Sequence, residues 1–326
     1  MYNGRMNKTI FEIKKGRFFK FILGLGNSDA ENIKKLSAIY ASSGVDMFDL
    51  TPSEVVYDAV YEGIKSQNLD VEDFSYCISF SLGEDKHGRK AQINPSECSR
   101  CFKCLKKCPQ NAIEYDKISK IIFVKQEKCI GCSKCSFCSA IKFSKENPDI
   151  IKKTKELKSK YKVDCIELHI SGLKAKNLKE ILKKIKQEFP DIVVSICTPR
   201  ERLSDNDLKK LLEKAVKIIG KDNFIFQADG LAMSGEKDDY SSTLQSIATA
   251  QVVEDLGLNI ILSGGTNSKT YELAQKCNVK INGVSIGSYG RNLVKEEIQN
   301  PEIWYNIEVL NSALKKAKLL VDSVKK

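Results

Sequence analysis

Eight of the twelve cysteines in this chain fall into two short runs whose spacing suits metal clusters. The four cysteines of each run are separated by only two or three residues. A [4Fe–4S] cluster takes four thiolates, and in two-cluster ferredoxins the fourth cysteine of each run binds the cluster of the other run. The spacing therefore predicts two [4Fe–4S] clusters, one held by Cys98, Cys101, Cys104 and Cys138, the other by Cys129, Cys132, Cys135 and Cys108.

The second run is less regular than the first. The first run ends with a three-residue spacing and Pro109, whereas the second ends with a two-residue spacing and Ser139. This departure leaves open whether Cys138 completes a full cluster. Four close cysteines can also hold zinc. A disulfide framework is disfavoured because nothing in the sequence marks the chain as secreted.

Composition narrows the classes of function. The 326 residues suffice for two or three domains, and the net charge is +11 from 53 basic and 42 acidic residues. Only seven of the basic residues are arginine, the residue on which nucleic-acid readers depend for bidentate contacts, so no nucleic-acid partner is expected. No stretch approaches the ~20 apolar residues of a transmembrane segment. A thiol-rich chain without a secretion signal predicts a cytoplasmic protein.

Outside the cysteine runs, short apolar segments alternate with amphipathic ones. Alternation of this kind favours a (β/α)₈ TIM-like barrel, with an open doubly wound sheet as the alternative. The eight predicted strands are Phe18–Leu25, Val45–Leu50, Tyr76–Ser81, Val163–Ile170, Ile192–Cys197, Phe224–Ala228, Asn259–Leu262 and Val279–Ile286. The expected domains are residues 1–83 (strands one to three), a ferredoxin-like α+β insertion at 84–143 after the third strand, and 144–326 (strands four to eight and the C-terminal helices).

Polar residues at the predicted strand ends are candidates for catalysis. Asp49, Glu167 and Asp229 end the second, fourth and sixth strands, and alternate strands of a barrel share an interior layer. If these carboxylates converge, their repulsion raises at least one pKa and supplies a general acid or base. Each could instead pair with lysine or cap a helix. His169 is a fourth candidate, as a base or a packed neutral ring.

Glycine-rich turns follow the seventh and eighth strands, where barrels commonly bind phosphate. Glycine lets backbone N–H groups approach an anion closely, although short glycine-rich turns also serve only as tight connections. The predicted contacts of a phosphate, flavin or other small molecule are Gly264, Gly265, Thr266, Asn267, Gly287 and Ser288.

Segments spread over nearly the whole chain carry a family resemblance. They are Gly16–Gly24, Ala41–Asp49, the cysteine runs, Leu262–Thr270 and Gly287–Arg291. In these segments the chain resembles the cyanobacterial light-dependent-period (LdpA) iron–sulfur proteins. The resemblance implies redox sensing, in which cluster oxidation state alters contacts with other proteins and informs the circadian clock.

A looser resemblance links the chain to the flavin-dependent dihydroorotate and dihydropyrimidine dehydrogenases. Glu167–Ser171 looks like their Glu-Leu-Asn-x-Ser strand with His169 in place of asparagine, and the glycine-rich turns stand where those enzymes hold FMN phosphate. The fifth strand has no lysine to steady a reduced flavin, however. The resemblance implies FMN as a possible cofactor and an oxidoreductase as the alternative to a sensor. A plain electron carrier with a structural barrel is the third interpretation, and whether the chain is an enzyme stays open.

Overall fold

The computed structural model describes residues 7–83, 89–145, 149–171, 175–199, 203–230 and 238–326. Strands are numbered in chain order, and eight of them are parallel and close into one barrel. These are Phe18–Ile22 (β1), Met47–Leu50 (β2), Ser75–Gly83 (β3), Cys165–Ser171 (β8), Val193–Pro199 (β9), Phe224–Asp229 (β10), Asn259–Ser263 (β11) and Gly283–Ile286 (β12). β1 pairs with both β2 and β12, and this last pairing closes the barrel.

Helices connect the strands, and those outside the cysteine runs pack around the barrel. They are Lys8–Lys14 (α1), Ala30–Ser43 (α2), Glu54–Lys65 (α3), Lys103–Lys107 (α4), Ile150–Lys158 (α5), Ala175–Glu188 (α6), Asp205–Ile219 (α7), Leu244–Val252 (α8), Thr270–Lys276 (α9), Ser288–Leu293 (α10), Lys295–Gln299 (α11) and Ile307–Lys325 (α12). Short 3-10 turns at Val71–Asp73, Lys221–Asn223 and Glu254–Leu256 lead into β3, β10 and β11. In the described residues, no helix is both long and apolar enough to cross a membrane.

Local sequence accounts for helix α7. Its N-cap Ser204 accepts a hydrogen bond from the backbone N–H of Asp207 at 3.2 Å, which satisfies one of the free donors of the first turn. Leu208, Leu212 and Ala215 recur at helical spacing and are buried against the barrel. The cap therefore sets where the helix begins, and the apolar stripe sets which side packs on the barrel.

The barrel interior is built in layers. Its floor is apolar and consists of one side chain from most strands, with Ile10 and Ile13 of α1 closing the end below it. The strand residues of this floor are Phe18, Met47, Cys77, Cys165, Val193, Ile225 and Ile261. Above the floor the inward side chains are polar and charged, so the C-terminal end of the barrel differs chemically from the sealed end.

The cysteine runs lie between β3 and β8, in a segment with its own small sheets. Arg89–Ile93 (β4) pairs antiparallel with Ile141–Lys145 (β7), and Ile113–Asp116 (β5) pairs antiparallel with Ile121–Val124 (β6). Helix α4 lies between β4 and β5. The segment follows the third barrel strand and therefore extends from the C-terminal end of the barrel, where the βα-loops form binding sites.

The eight-stranded barrel with a cluster-type insertion is confirmed, and the alternative of an open doubly wound sheet is wrong. The last strand is shorter than predicted and begins at Gly283 rather than Val279. Asn282, just before this strand, donates its backbone N–H to Ile260 O at 2.8 Å, and its side-chain oxygen accepts the N–H of Ile260, also at 2.8 Å.

Candidate functional site

Seven of the eight cysteines of the two runs fall into two groups, and each group includes the last cysteine of the other run. Burial raises the pKa of the Cys104 thiol, and the nearby Cys98 and Cys138 raise it further. In the second group burial raises the pKa of Cys135 to about 11, with added effects from Cys132, Cys129 and Cys108. Cys138 therefore lies beside the first run despite its irregular spacing.

The two cysteine loops share one backbone conformation. The residues on either side of the middle cysteine have positive φ in both: Arg100 and Phe102 around Cys101, and Gly131 and Ser133 around Cys132. Left-handed residues in a tight loop turn successive N–H groups into its hollow, which favours bound anions such as a thiolate cluster. The repeated conformation indicates that both loops are shaped for the same kind of ligand.

An apolar shell surrounds the cysteines. Its aliphatic side chains pack directly on the thiols, and the buried ones are Ala91, Ala112, Ile113, Ile122 and Ile141. The backbone N–H of Ala91 donates to Cys129 Sγ at 3.4 Å, and that of Ala112 donates to Cys108 Sγ at 3.3 Å. Thiolate donors, N–H···S bonds and a low-dielectric shell are the features that hold iron–sulfur clusters and set their potentials. The residues present thus fit an iron–sulfur cluster.

The second cysteine loop is tied to the barrel by Lys90. Its ammonium donates to the carbonyl oxygens of Gln126 at 2.5 Å and Cys129 at 2.6 Å, both in the cluster segment. The same ammonium contacts the carbonyl oxygen of Gly26, in the loop that follows β1. The cluster loop and a βα-loop of the barrel are therefore fixed against each other.

A cavity of about 90 Å³ opens at the C-terminal end of the barrel. Ile130, which lies between Cys129 and Cys132, is one of its walls, so the second cysteine loop forms part of the barrel mouth. The cavity is smaller than the ~300–1,000 Å³ of ordinary small-molecule pockets. Its described lining residues are Ile22, Gly24, Leu25, Asp49, Ile130, His169, Asp229, Ser263, Gly264, Gly265, Thr266, Gly287, Ser288 and Arg291.

Below the mouth, a buried lysine links two of the predicted carboxylates. Lys20 Nζ lies 2.7 Å from Asp49 Oδ2 and 2.6 Å from Glu167 Oε2, and all three side chains are at most 2% exposed. Ser195 Oγ and Gln227 Nε2 each donate to Glu167 at 2.8 Å, and Ser79 donates to Asp49. Asp49 and Glu167 are thus brought together, as the alternate-strand argument predicts.

The network separates the pKa values of its two acids. Burial raises the pKa of Asp49, and Lys20 only partly offsets this effect. Burial also opposes ionisation of Glu167, but Lys20 and His169 together hold its pKa below the usual range. Although burial lowers the pKa of Lys20, Asp49 and its other neighbours raise it well above normal. Lys20 and Glu167 are therefore charged in the folded protein.

His169 connects this network to Cys197. His169 Nε2 lies 2.9 Å from Glu167 Oε1. Burial lowers the pKa of His169, but contacts with Cys197 and Glu167 outweigh it and raise that pKa well above normal. Burial raises the pKa of Cys197 to about 12, and the charge of Asp229 adds to the effect. Cys197 is therefore a neutral thiol at neutral pH.

The glycine-rich turns reach the mouth, but not with every predicted residue. Gly264, Gly265, Thr266, Gly287 and Ser288 line the cavity. Asn267 is fully buried, and its amide donates to the carbonyl oxygen of Asp239 at 2.7 Å and to Ser242 Oγ at 2.9 Å.

Charged side chains flank these turns. A Cβ on Gly264 would overlap the carboxylate of Asp229, so an acid lies against the loop. Arg291 also lines the cavity, and its Nη1 donates to the carbonyl oxygen of Ile22 at 2.6 Å. The phosphate site stays a prediction, since acid and base both face the cavity.

Sequence reasoning missed Lys20, Gln227, Cys197, Arg291 and the two residues that join the cluster loop to the barrel, Ile130 and Lys90. Lys20 did carry a signal, because it is a charge inside the apolar strand β1 and needs a buried partner. The contacts of the other five depend on strand register and on how the insertion packs, which spacing does not reveal.

The closed parallel barrel and the cysteine-rich insertion together define an iron–sulfur protein built on a TIM barrel. Residues 90–138 match the family model for a 4Fe-4S dicluster domain. Residues 157–323, more than half of the chain, match the model for the light dependent period A C-terminal domain. The chain therefore belongs to the light dependent period A family. No curated protein matches it.

Solved structures resemble this chain in fold alone. A protein described as a fructose-1,6-biphosphate aldolase from Coccidioides immitis is 11% identical, with a TM-score of 0.51, and the match covers 98% of this chain and 96% of that one. The YdjI aldolase of Escherichia coli K12 is 7% identical over 100% and 95% of the two chains, with a TM-score of 0.48. A tryptophan synthase from M. tuberculosis is 9% identical over 98% and 99%, also with a TM-score of 0.48.

Replacing Gly131 with alanine tests the shape of the second cysteine loop. A Cβ there would overlap the carbonyl oxygen of Arg89, and the positive φ of 66° is costly for alanine. We expect Gly131→Ala to lose about half of the bound iron, measured by iron and sulfide analysis after anaerobic purification. Ser133→Gly is the matched control, because it relaxes a positive φ in the same loop. Full iron content in Gly131→Ala would show that the close approach does not matter.

Replacing Lys20 with methionine tests the buried charge network. Two carboxylates would lose their cation, so Lys20→Met should lower the free energy of unfolding by about 3–5 kcal/mol at pH 8. The folded-state pKa values of Asp49 and Glu167 would then rise above their unfolded values, so the loss should shrink as pH falls toward 6. Urea denaturation followed by circular dichroism measures both effects.

Two further variants serve as a control and as a partial rescue for Lys20→Met. Lys34→Met removes a surface ion pair with Glu62 and should cost less than about 1 kcal/mol. Adding Glu167→Gln to Lys20→Met should restore part of the lost stability, because one uncompensated charge disappears. A pH-independent loss in the single variant would contradict the electrostatic explanation.

Proposed function

We propose that this chain is a redox-responsive protein that holds two [4Fe–4S] clusters and conveys their oxidation state through contacts with other proteins. Membership of the light dependent period A family supports a role in signalling cellular redox or light state to the circadian clock. The observation that carries the proposal is the position of Ile130, which lies between two cluster ligands and also forms a wall of the barrel mouth. A change at the second cluster thereby reaches a surface outside the insertion.

The physical basis is a change of charge in a poorly screened place. Reduction adds one negative charge to a cluster, and the apolar shell around the cysteines limits dielectric screening of that charge. The Lys90 ammonium, held by the Cys129 carbonyl oxygen at 2.6 Å, is a cation placed to respond. Stronger attraction of Lys90 toward the reduced cluster would loosen its contact with Gly26 and move the cluster loop relative to the barrel.

An oxidoreductase is the second candidate, and the barrel mouth favours it. The cavity contains His169, Asp49 and Asp229 beside a cluster loop, which is an arrangement suited to passing electrons to a bound small molecule. A flavin such as FMN would require the mouth to open, because the cavity is only about 90 Å³. The optical spectrum of anaerobically purified protein distinguishes the candidates, since bound flavin supports the oxidoreductase and clusters alone support the sensor.

The number of clusters is tested by removing the irregular cysteine. Cys138→Ala takes one ligand from the first group, so iron should fall from about eight to about four atoms per chain. Cys277→Ala removes an exposed thiol outside both runs and should leave the iron content unchanged. Iron and sulfide analysis with electron paramagnetic resonance of the reduced protein measures the outcome. Equal iron in wild type and Cys138→Ala would argue against Cys138 as a ligand.

Redox coupling is tested by hydrogen exchange in the oxidised and reduced states. We expect amides of residues 126–133 and of the loop after β1 to exchange several-fold faster after reduction. Lys90→Met should exchange fast in these segments in both states, because its link to the barrel is already lost. Identical exchange patterns in oxidised and reduced wild-type protein would rule out the proposed coupling. The iron content of Lys90→Met must match wild type for the comparison to hold.

A further inference from the structure

Three potential metal ligands meet inside the barrel, away from the cysteine runs. A carboxylate oxygen of Glu167, a ring nitrogen of His169 and the sulfur of Cys197 all lie within 4.8 Å of one another. Glu167 and His169 are two residues apart on β8 and so face the same side, and Cys197 of β9 stands opposite His169 in the strand register. Their exposed fractions are 0%, 8% and 1%, so strand geometry holds all three in place.

The donor types point to a particular class of cation. One sulfur, one imidazole nitrogen and one carboxylate oxygen are the ligands of zinc, and catalytic zinc sites use three protein ligands with a fourth position open. Thiolate and imidazole donors disfavour Mg²⁺ and Ca²⁺, which take oxygen.

The carboxylate of this set is already oriented by its neighbours. Gln227 Nε2 donates to Glu167 Oε1 at 2.8 Å, while Ser195 and Lys20 occupy Oε2. Hydrogen bonds of this kind fix the direction of a ligand and commonly surround metal sites.

A second potential set, formed by Asp49, Cys77 and Glu167, provides an internal contrast. There the cation is already present, because Lys20 Nζ lies 2.7 Å from Asp49 and 2.6 Å from Glu167. The set with His169 and Cys197 shares Glu167 with that ion pair, while its other two donors lie outside it.

The barrel mouth supplies room for the remaining coordination position. His169 lines the cavity of about 90 Å³, together with Asp49 and Asp229. A water molecule takes about 30 Å³, so the cavity can hold a metal-bound water and a small ligand. We propose that Glu167, His169 and Cys197 bind one Zn²⁺ ion, with an open position toward the barrel mouth. This site is independent of the clusters and of the proposed sensing role.

Zinc binding is tested on protein whose clusters are fully loaded, so that the eight cluster cysteines are occupied by iron. The protein is equilibrated anaerobically with a small excess of ZnCl₂ and a weak chelator, then analysed for zinc and iron. We expect about one zinc per chain with no loss of iron. X-ray absorption at the zinc edge should show about one sulfur neighbour at ~2.3 Å and the remaining ligands, nitrogen or oxygen, at ~2.0–2.2 Å.

Variants identify the ligands. Cys197→Ser and His169→Gln should each bind zinc at least about tenfold more weakly while keeping their iron. Cys165→Ser is the matched control, because it also alters a fully buried thiol of the barrel but lies outside the proposed set. Circular dichroism checks that each variant folds. The X-ray absorption measurement uses wild-type protein and therefore does not depend on the folding of any variant.

Three results would overturn the proposal. They are no retained zinc in wild type, equal zinc retention in Cys197→Ser, and about four sulfur neighbours per zinc, which would place the metal in the cysteine runs. Iron content is measured in the same samples, so failure of the zinc site is distinguishable from failure of the clusters.

Discussion

A single buried ammonium group allows the barrel to carry charge in its interior. Lys20 lies between Asp49 and Glu167 at 2.7 and 2.6 Å, and without a cation two carboxylates could not both stay ionised at this depth. The apolar floor below is sealed by α1, so water cannot take the place of the lysine from that side. Through Glu167 the same charge network orients His169, and His169 in turn contacts Cys197. The polar chemistry of the barrel mouth therefore rests on this one ion cluster.

The insertion adds a second kind of chemistry to the same end of the barrel. A thiolate cluster needs a low-dielectric shell and convergent N–H groups, and the small sheets β4–β7 and β5–β6 supply both around the cysteines. Lys90 joins the second cysteine loop to the loop after β1, so the insertion is held against the barrel. Shared walls of one cavity make the barrel and the cluster segment parts of the same site.

Fold similarity does not identify the chemistry of this protein. The barrel resembles the aldolase-type structure from Coccidioides immitis at 11% identity, which describes its architecture and nothing of its reaction. The distinguishing features are the cysteine runs and the ionised residues inside the barrel. Family membership agrees with the cysteine runs. The ionised residues inside the barrel are the feature whose chemistry remains to be measured.

Sequence alone determined the features that depend on short-range pattern. Cysteine spacing predicted a cluster-binding segment, which the 4Fe-4S dicluster model matches, and alternating apolar segments predicted the barrel. Ser204 caps the start of α7 through the backbone N–H of Asp207. These are local properties, because a loop that wraps a cluster or a capped helix is encoded within a few residues.

Tertiary structure decided the rest, since each outcome depends on strand register or domain packing. Register set Cys197 against His169, and side chains on different strands converged on Lys20. Packing directed the amide of Asn267 to the carbonyl oxygen of Asp239 instead of the cavity. Packing also made Ile130 a wall of the barrel mouth. Residues far apart in the chain share no spacing pattern, and only the closed barrel brings their charges within a few ångströms.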